Sequence, residues 1–302
     1  VTSPPLNADG LTFIEGSDFL RFVAAVDGEQ PKLTLPAACA ASSEYPPDIR
    51  AAARINEATS VYAGTFQKEL LLYKGDGDLG CAEEVETFSE FPSKNVIFVS
   101  RFDSVNSWAL RIEDVLGDSG AKLDGFALGE NGAVYLSGQF SNQLSLDGVP
   151  MVNMSCNSTC TFVIRLDTIA SVPPSSMTWG RVFTTGEVSE PQTTLALSGG
   201  FVFVSGGFGA EVRDEHSNEV LIEHEGGLFT LALGADNKDG DGSVYALTAD
   251  MFEPELFMAP DNNDGVWVAG VFTGDFLMPV EGFSFDPIPN GSEKAAFLVH
   301  VQ

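Results

Sequence analysis

The stretch GAVYLSGQF (Gly132–Phe140) has the composition of a β-strand in which a glycine interrupts apolar residues and an aromatic residue follows. Related stretches occur three more times, as SVYAGTF (Ser60–Phe66), FVFVSGGF (Phe201–Phe208) and GVWVAGVF (Gly265–Phe272). The aligned glycines are Gly64, Gly138, Gly206 and Gly270, at spacings of 74, 68 and 64 residues. A motif that recurs at such an even spacing indicates a repeat architecture.

Each copy of the motif has similar neighbours in the sequence. An aromatic residue precedes the glycine, one position closer in the first copy (Tyr62, Tyr135, Phe203 and Trp267). One strand-like segment lies upstream, and downstream lie an Asp-ended strand such as TFVIRLD (Thr161–Asp167) and an aromatic strand such as MTWGRVF (Met177–Phe183). Long acidic loops are expected between the glycine strand and the Asp-ended strand. Each repeat is therefore predicted to hold four antiparallel strands.

Four antiparallel strands repeated around a ring make a β-propeller, so we predict an all-β fold of this type in a single domain over residues 1–302. The blades are predicted at about residues 11–40, 48–114, 123–184, 192–249 and 254–302. Five blades are expected, the last one incomplete or closed by a chain terminus. The alternative is a fragment whose next blade lies beyond Gln302. A β-helix would need shorter repeats, and a pair of β-sandwiches would not explain a motif that occurs four times.

The repeated glycine is expected at the end of a central strand, where a residue without a Cβ atom permits close backbone approach or a bulge. The phenylalanine two positions later is expected to fill the space between neighbouring blades. Packing between blades is therefore the predicted role of Gly64, Phe66, Gly138, Phe140, Gly206, Phe208, Gly270 and Phe272.

The formal net charge of the chain is −28, with 43 acidic and 15 basic residues. A nucleic-acid partner or an anionic membrane is excluded on this ground, because phosphate binding needs lysine and arginine. No apolar run reaches the roughly 18–20 residues that a membrane span requires. The charge is interpreted as a solvated surface, with cation binding or a high-salt habitat as alternatives.

The four cysteines occur without a CxxC pair or a Cys/His cluster, which favours disulfides in an oxidising compartment. Cys156 and Cys160 would close a very tight loop, and Cys39 and Cys81 would then form the second bridge. Four cysteines allow three pairings, so this pairing is a preference.

Three Asn-X-Ser/Thr sequons occur, at Asn153, Asn157 and Asn290. Two of them lie beside the predicted Cys156–Cys160 loop in a polar segment, which favours a secreted glycoprotein. The chain starts at Val1 rather than Met, as a processed mature chain would.

The segment DNKDGDG places Asn237, Asp239 and Asp241 on alternate residues before a glycine. Oxygen ligands in this pattern begin a calcium loop, so these three residues are candidate Ca²⁺ ligands. No flanking helices are expected, and Thr248 stands where an EF-hand has glutamate. An ordinary Asp/Gly turn is the alternative interpretation. Ca²⁺ is the cofactor that this segment would bind.

The pattern of the third blade resembles the SBBP-type propeller repeats of bacterial secreted and surface proteins. The matching residues are Gly132, Tyr135, Gly138, Phe140, Phe162, Val163, Leu166, Asp167 and Trp179. Arg165 stands where the family often has lysine, and the resemblance extends over most of Asp48–Gln302. The resemblance implies a secreted or cell-surface module and does not imply a catalytic set.

We therefore expect a non-enzymatic, secreted or cell-surface protein that serves as a structural, adhesive or assembly module. Its partners would be other extracellular proteins, copies of itself or glycans, and calcium could stabilise it. The first alternative is a carbohydrate-active propeller, a glycosidase or lectin with an acidic axial site, in which no carboxylate pair can be chosen from the sequence. An intracellular halophilic scaffold is the second alternative.

Overall fold

A computed structural model describes most of the chain. The described residues are 19–26, 33–42, 47–56, 59–75, 81–88, 94–103, 106–116, 120–129, 132–168, 173–185, 193–223, 226–235, 243–247, 251–252, 256–261, 264–273 and 294–302. Throughout these residues the strands pair antiparallel and no α-helix occurs. The predicted all-β class is confirmed.

The chain divides into two compact units. The first holds Val1–Arg111 with Ser171–Pro173, and the second holds Ile112–Ala170 with Pro174–Gln302. The single domain over residues 1–302 stays a prediction, as does the number of blades.

Among the described residues, eight strands belong to the first unit, and the last of them continues into the second. They are β1 (Phe19–Val26), β2 (Leu33–Ser42), β3 (Asp48–Asn56), β4 (Thr59–Phe66), β5 (Leu70–Gly75), β6 (Cys81–Phe88), β7 (Val96–Phe102) and β8 (Trp108–Asp114). One sheet has the order β1-β2-β5-β6, and the other contains β3-β4-β7-β8. The second sheet has the four-stranded order that the sequence predicts for residues 48–114.

The second unit contains the remaining strands. They are β9 (Lys122–Leu128), β10 (Ala133–Phe140), β11 (Gln143–Leu146), β12 (Val149–Ser155), β13 (Cys160–Asp167), β14 (Trp179–Thr184), β15 (Thr194–Ser198), β16 (Phe201–Phe208), β17 (Glu211–Asp214), β18 (Glu219–Glu223), β19 (Gly227–Gly234), β20 (Ser243–Leu247), β21 (Met251–Phe252), β22 (Phe257–Pro260), β23 (Val266–Thr273) and β24 (Ala295–Val301).

Three sheets of this unit follow the predicted repeat. Their orders are β9-β10-β13-β14 with β17-β18 added at the β14 edge, then β15-β16-β19-β20, then a last sheet around β23. In the last sheet β21 and β22 pair with successive parts of one edge of β23, and β24 pairs with its other edge along Val266–Phe272.

Three of the four segments expected as long acidic loops form hairpins instead, so the prediction is wrong for these three, and the segment between β23 and β24 lies outside the described residues. Hairpins β5–β6, β11–β12 and β17–β18 each leave a glycine strand and pair with the last strand of the preceding sheet. β5 pairs with β2, β11 with the end of β8, and β17 with β14. The physical reason is a short apolar alternation within polar sequence: Leu70, Leu72 and Val212 are buried.

Consecutive sheets of the second unit stack face to face. One cluster joins Tyr135 and Trp179 of the β10–β13–β14 sheet to Val204 and Leu231 of the β16–β19 sheet. The next cluster joins Phe203 of the β16–β19 sheet to residues of the last sheet, among them Val266, Val268, Phe297 and Val301. Strand β16 is consequently buried on both faces, which explains its continuous apolar sequence, and β10 is buried along nearly its whole length as well.

Candidate functional site

The repeated glycines lie opposite phenylalanines of the neighbouring strand. The register pairs Gly64 with Phe98, Gly138 with Phe162, Gly206 with Phe229 and Gly270 with Phe297. A Cβ atom added at the glycine would lie 2.8, 2.9, 3.1 and 2.7 Å, respectively, from the nearest ring carbon of that phenylalanine. The glycine is therefore required because an aromatic ring of the same sheet covers it.

The strand on the other side adds to this crowding in two copies. At Gly64 and Gly138 an added Cβ atom would also collide with the carbonyl oxygens of Asp48 and Lys122. The pairing is irregular at both places, between Ile49 and Ala51 and beside Gly138. At both glycines, the strands that leave no room for a side chain belong to the glycine's own sheet. The crowding is therefore within a sheet, and the prediction of crowding between neighbouring blades is corrected accordingly.

The phenylalanines that follow the glycines are buried. Phe208 belongs to the cluster that includes Tyr135, and Phe272 belongs to the cluster that includes Phe203. Phe140 and Phe162 make an edge contact with ring centroids 6.1 Å apart. The four glycines and four phenylalanines of the repeat therefore take part in packing, either within one sheet or between two sheets.

The aromatic residue before the glycine differs in direction between copies. Tyr135 lies three positions before Gly138 and packs toward the following sheet. Tyr62 lies two positions before its glycine and belongs to the same cluster as Phe66 and Phe98. Because side chains alternate between the faces of a strand, the shift by one residue sends Tyr62 to the opposite face.

Three residues of the repeat pattern converge on one backbone carbonyl. Tyr135 Oη, Arg165 Nη1 and Trp179 Nε1 donate hydrogen bonds to the carbonyl oxygen of Ala235, at 3.1, 2.9 and 3.0 Å. Ala235 directly follows β19 of the next sheet. The same guanidinium lies 5.8 Å from the Tyr135 ring centroid. These residues join two consecutive sheets, a role that their spacing in the sequence does not reveal.

A second polar contact is built on a buried carboxylate. Asp114 ends β8, is 0% exposed, and accepts hydrogen bonds from the backbone amides of Ser141, Asn142 and Gln143 at 2.8, 3.1 and 3.1 Å. The Ser141 hydroxyl donates a fourth bond at 3.0 Å. The side chain therefore fixes the turn that leads from the glycine strand into hairpin β11–β12.

Hairpin β11–β12 leads into the predicted tight disulfide. Cys156 and Cys160 are bonded in the structure and both are buried. Asn153 and Asn157 lie nearby with exposed side chains, as glycan attachment would require. Asn153 also has a φ angle of 59°, a left-handed conformation that asparagine tolerates better than most residues. This asparagine therefore has a backbone role besides the predicted glycosylation.

The other predicted sites lie partly or wholly outside the described residues. Cys39 lies on β2 and Cys81 on β6 of one sheet, and their side chains are not among those described. The predicted calcium ligands Asn237, Asp239 and Asp241 and the third sequon at Asn290 are also outside. Within the described part of the chain, no group of three or more His, Cys, Asp or Glu side chains could hold a metal ion.

The acidic hairpin β17–β18 pairs two of its carboxylates, Glu211 and Asp214, with arginine. Arg213 donates two hydrogen bonds of 3.0 Å to Glu211, and Arg181 lies 3.0 Å from Asp214. The hydrogen bond to Glu211, together with nearby carboxylates including Glu215, raises the pKa of Arg213 above its usual value. Both pairs stabilise the hairpin locally; the Arg213–Glu211 pair is partly exposed, whereas the Arg181–Asp214 pair is largely buried.

The last sheet has one buried and one exposed face. Its outer face is formed by Phe257, Ala259, Trp267, Ala269, Leu298 and His300. Phe257, Trp267 and Leu298 are 64%, 43% and 65% exposed. In the register Trp267 lies between Ala259 and His300, and Ala269 lies between Phe257 and Leu298. Large exposed apolar side chains that adjoin one another mark a contact surface.

Trp267 is held in place at the outer face. Its ring centroid lies 4.6 Å from that of His300, and the His300 ring is hydrogen-bonded to Asp261 through Nε2. Asp261 also accepts a bond of 2.7 Å from the backbone amide of Gly265. Within the described strands β22, β23 and β24, this face carries no Asp, Glu, Lys or Arg, in contrast to the acidic chain as a whole.

Comparison with known proteins finds no matching family model, no matching curated protein and no matching solved structure. The resemblance to SBBP-type repeats accordingly stays a prediction from the sequence. No helix in the described part of the chain is long and apolar enough to cross a membrane. The functional argument therefore depends on the residues of this chain.

Proposed function

We propose that this chain is a non-enzymatic, extracellular or cell-surface β-propeller of about five blades that acts as a structural or interaction module. The proposal is based on a contrast between the residues of the repeat pattern and the apolar residues of the outer face. The repeat residues Tyr135, Arg165 and Trp179 are engaged in joining sheets. The apolar residues of the outer face, by contrast, are exposed and adjoin one another.

An extracellular location is supported by the hairpin that precedes the disulfide. Exposed sequon asparagines at Asn153 and Asn157 flank Cys156, which is bonded to Cys160. A disulfide that closes so short a segment persists in an oxidising compartment and is reduced in the cytosol. The acidic surface would keep such a protein soluble and apart from anionic membranes.

The proposal is tested by fractionating the source cells and analysing the peptide around Cys156 by mass spectrometry. We expect this peptide in the extracellular or surface fraction, with an intact disulfide and a glycan on Asn157. Recovery from the cytosol with free thiols and unmodified asparagines would overturn the extracellular assignment. Asn157→Gln is the control variant that removes the glycan site. Asn157 is chosen because, unlike Asn153, it has no positive φ angle, so the substitution does not strain the backbone.

Calcium stabilisation through Asn237, Asp239 and Asp241 is part of the proposal. A ligand that binds only the folded state raises stability by RT ln(1 + [L]/Kd), so chelation should lower the melting temperature. We expect EDTA at low salt to lower the Tm of the wild type and to leave Asp239→Asn/Asp241→Asn unchanged. Equal Tm values of the wild type with and without EDTA would remove calcium from the proposal.

Carbohydrate binding is the second candidate, and Trp267 favours it because an exposed indole beside polar groups can stack on a sugar ring. Affinity electrophoresis through gels that contain soluble polysaccharides distinguishes the two candidates. The interaction module predicts equal mobility of wild type and Trp267→Ala in every gel. Retardation of the wild type alone would favour a lectin, and release of reducing ends would favour a glycosidase.

A further inference from the structure

The outer face of the last sheet corresponds to a face that is covered in each of the two preceding sheets. Tyr135, Phe203 and Trp267 each lie three positions before the repeat glycine. Tyr135 packs against the β16–β19 sheet, and Phe203 packs against the last sheet. Trp267 is the member of this series that remains 43% exposed. By continuity, the outer face is shaped to be covered by another antiparallel sheet, which is the first blade of the same chain in a closed propeller and comes from a second copy in an open one.

We propose that the outer face binds the same face of a second copy of this chain in a twofold-symmetric dimer. This inference depends on the proposed function as an interaction module. It specifies the surface that the module uses and the partner that it binds. In such an isologous contact the patch must be complementary to itself after a rotation of 180°.

The side chains of the outer face meet this requirement. Across the strands, one row reads Phe257, Ala269, Leu298 and the adjacent row reads Ala259, Trp267, His300. Large and small side chains therefore alternate in the first row and along β22 and β23, whereas Trp267 and His300 are two adjacent rings. A rotated copy can place its large residues over the small ones, which is how sheet faces interdigitate.

A head-to-tail contact is less suitable, because the opposite face of the second unit's first repeat sheet is already buried. Val134, Leu136 and Ile164 of that face are inaccessible to solvent. The outer face of one copy therefore cannot pack on the Val134 face of a second copy. The outer face of the second copy, by contrast, is exposed and open to contact. The described strands β22, β23 and β24 place no acidic side chain in this face, and the adjacent Asp261 is paired with His300, so two copies of a chain of charge −28 can approach there.

The expected dimer is weak. Strands β22, β23 and β24 have four, eight and seven residues, and at a spacing of about 4.8 Å and a rise of about 3.3 Å per residue they present roughly 300 Å² of sheet face. A stable interface buries about 800 Å² on each partner. We therefore expect a Kd on the order of 10 µM to 1 mM, with tighter association as salt screens the mutual repulsion of the two acidic chains.

Sedimentation velocity of the purified full chain over this concentration range tests the proposal. We expect the wild type to pass from monomer to dimer, at lower concentration in high salt than in low salt. Leu298→Glu should stay monomeric throughout, because each dimer would bury two carboxylates at the contact. Val152→Glu is the matched control, because Val152 is a strand residue 74% exposed on β12, and it should dimerise like the wild type.

Phe257→Ser provides a second variant without added charge, and urea unfolding checks that each variant is folded. A wild type that is monomeric at every concentration would overturn the proposal, as would equal loss of dimer in Leu298→Glu and Val152→Glu. A monomer in which Trp267 is nevertheless shielded from acrylamide would assign the face to this chain's own residues. Any of these results leaves the extracellular assignment standing, because that assignment is tested separately by the glycan and disulfide analysis.

Discussion

Replacing the repeat glycines by alanine should destabilise the protein in a defined order. Neither Gly138 nor Gly206 has a positive φ angle, so alanine is disfavoured at both positions only by its Cβ atom. At Gly138 this atom would lie 2.9 Å from the Phe162 ring and collide with the Lys122 carbonyl oxygen. At Gly206 the closest atoms belong to the Thr193 and Phe229 side chains, at 3.0 and 3.1 Å.

These distances determine the expected magnitudes. A side chain can yield by a few tenths of an ångström, whereas a backbone carbonyl can move only with its strand. We therefore expect Gly206→Ala to lower the free energy of unfolding by about 1 kcal/mol and Gly138→Ala by about 3 kcal/mol. The lower conformational entropy of the unfolded alanine chain offsets about 0.5 kcal/mol at both positions equally.

Urea unfolding, followed by near-ultraviolet circular dichroism, measures both values. Adding Phe229→Leu to Gly206→Ala should give a favourable coupling energy of about 1 kcal/mol, because the smaller side chain leaves room for the methyl group. Phe162→Leu should couple more weakly to Gly138→Ala, since the carbonyl collision persists. The reasoning would be refuted if Gly138→Ala were as stable as the wild type or if Gly206→Ala were the more damaging change.

Three further changes test the polar contacts and the disulfide. Asp114→Asn should lower the free energy of unfolding by about 2–4 kcal/mol, because an amide NH₂ would face backbone donors at a buried site. A urea midpoint equal to that of the wild type would contradict this expectation. Trp179→Phe should lower the free energy of unfolding by about 1 kcal/mol. The loss should be larger in a Tyr135→Phe background, because Arg165 alone would then donate to the Ala235 carbonyl. Strictly additive losses would argue against a shared acceptor. Cys156→Ser/Cys160→Ser should lower stability by about 2 kcal/mol, the loop-entropy value for so short a ring, and a loss near zero in thermal unfolding would show that the turn is fixed without the bond.

The four-stranded repeat could be predicted because its signals are local. Apolar runs, each ended by glycine or aspartate, set the strands of residues 48–114 and 123–184, and these strands pair in the predicted order. The hairpins were missed because their strands are short and rich in charge, as in EVRD (Glu211–Asp214). Their pairing with the preceding sheet is a contact between repeats, which the periodicity within one repeat does not contain.

The opposite direction of Tyr62 could have been predicted from its position. It lies two residues before Gly64, whereas Tyr135 lies three residues before Gly138, and an odd shift in a strand reverses the face. The alignment of the aromatic residues as one column hid this difference.

The outer face could be predicted only in part. Trp267 stands in the aromatic column of the repeat, and its neighbours Phe257 and Leu298 are visible in the sequence. Whether such a column is covered depends on which sheet follows it in the stack. Sequence periodicity treats Tyr135, Phe203 and Trp267 alike, although the first two are buried and the third is exposed.

The most direct test of this account is the accessibility of Trp267 as a function of protein concentration. The chain has three tryptophans, and Trp108 and Trp179 are buried, so acrylamide quenching reports mainly on Trp267; the difference between wild type and Trp267→Phe isolates its signal. We predict strong quenching of Trp267 at low micromolar concentration and progressive protection as the protein is concentrated, with no protection in Leu298→Glu. Quenching that is independent of concentration in the wild type would contradict the assignment of the outer face as the contact surface.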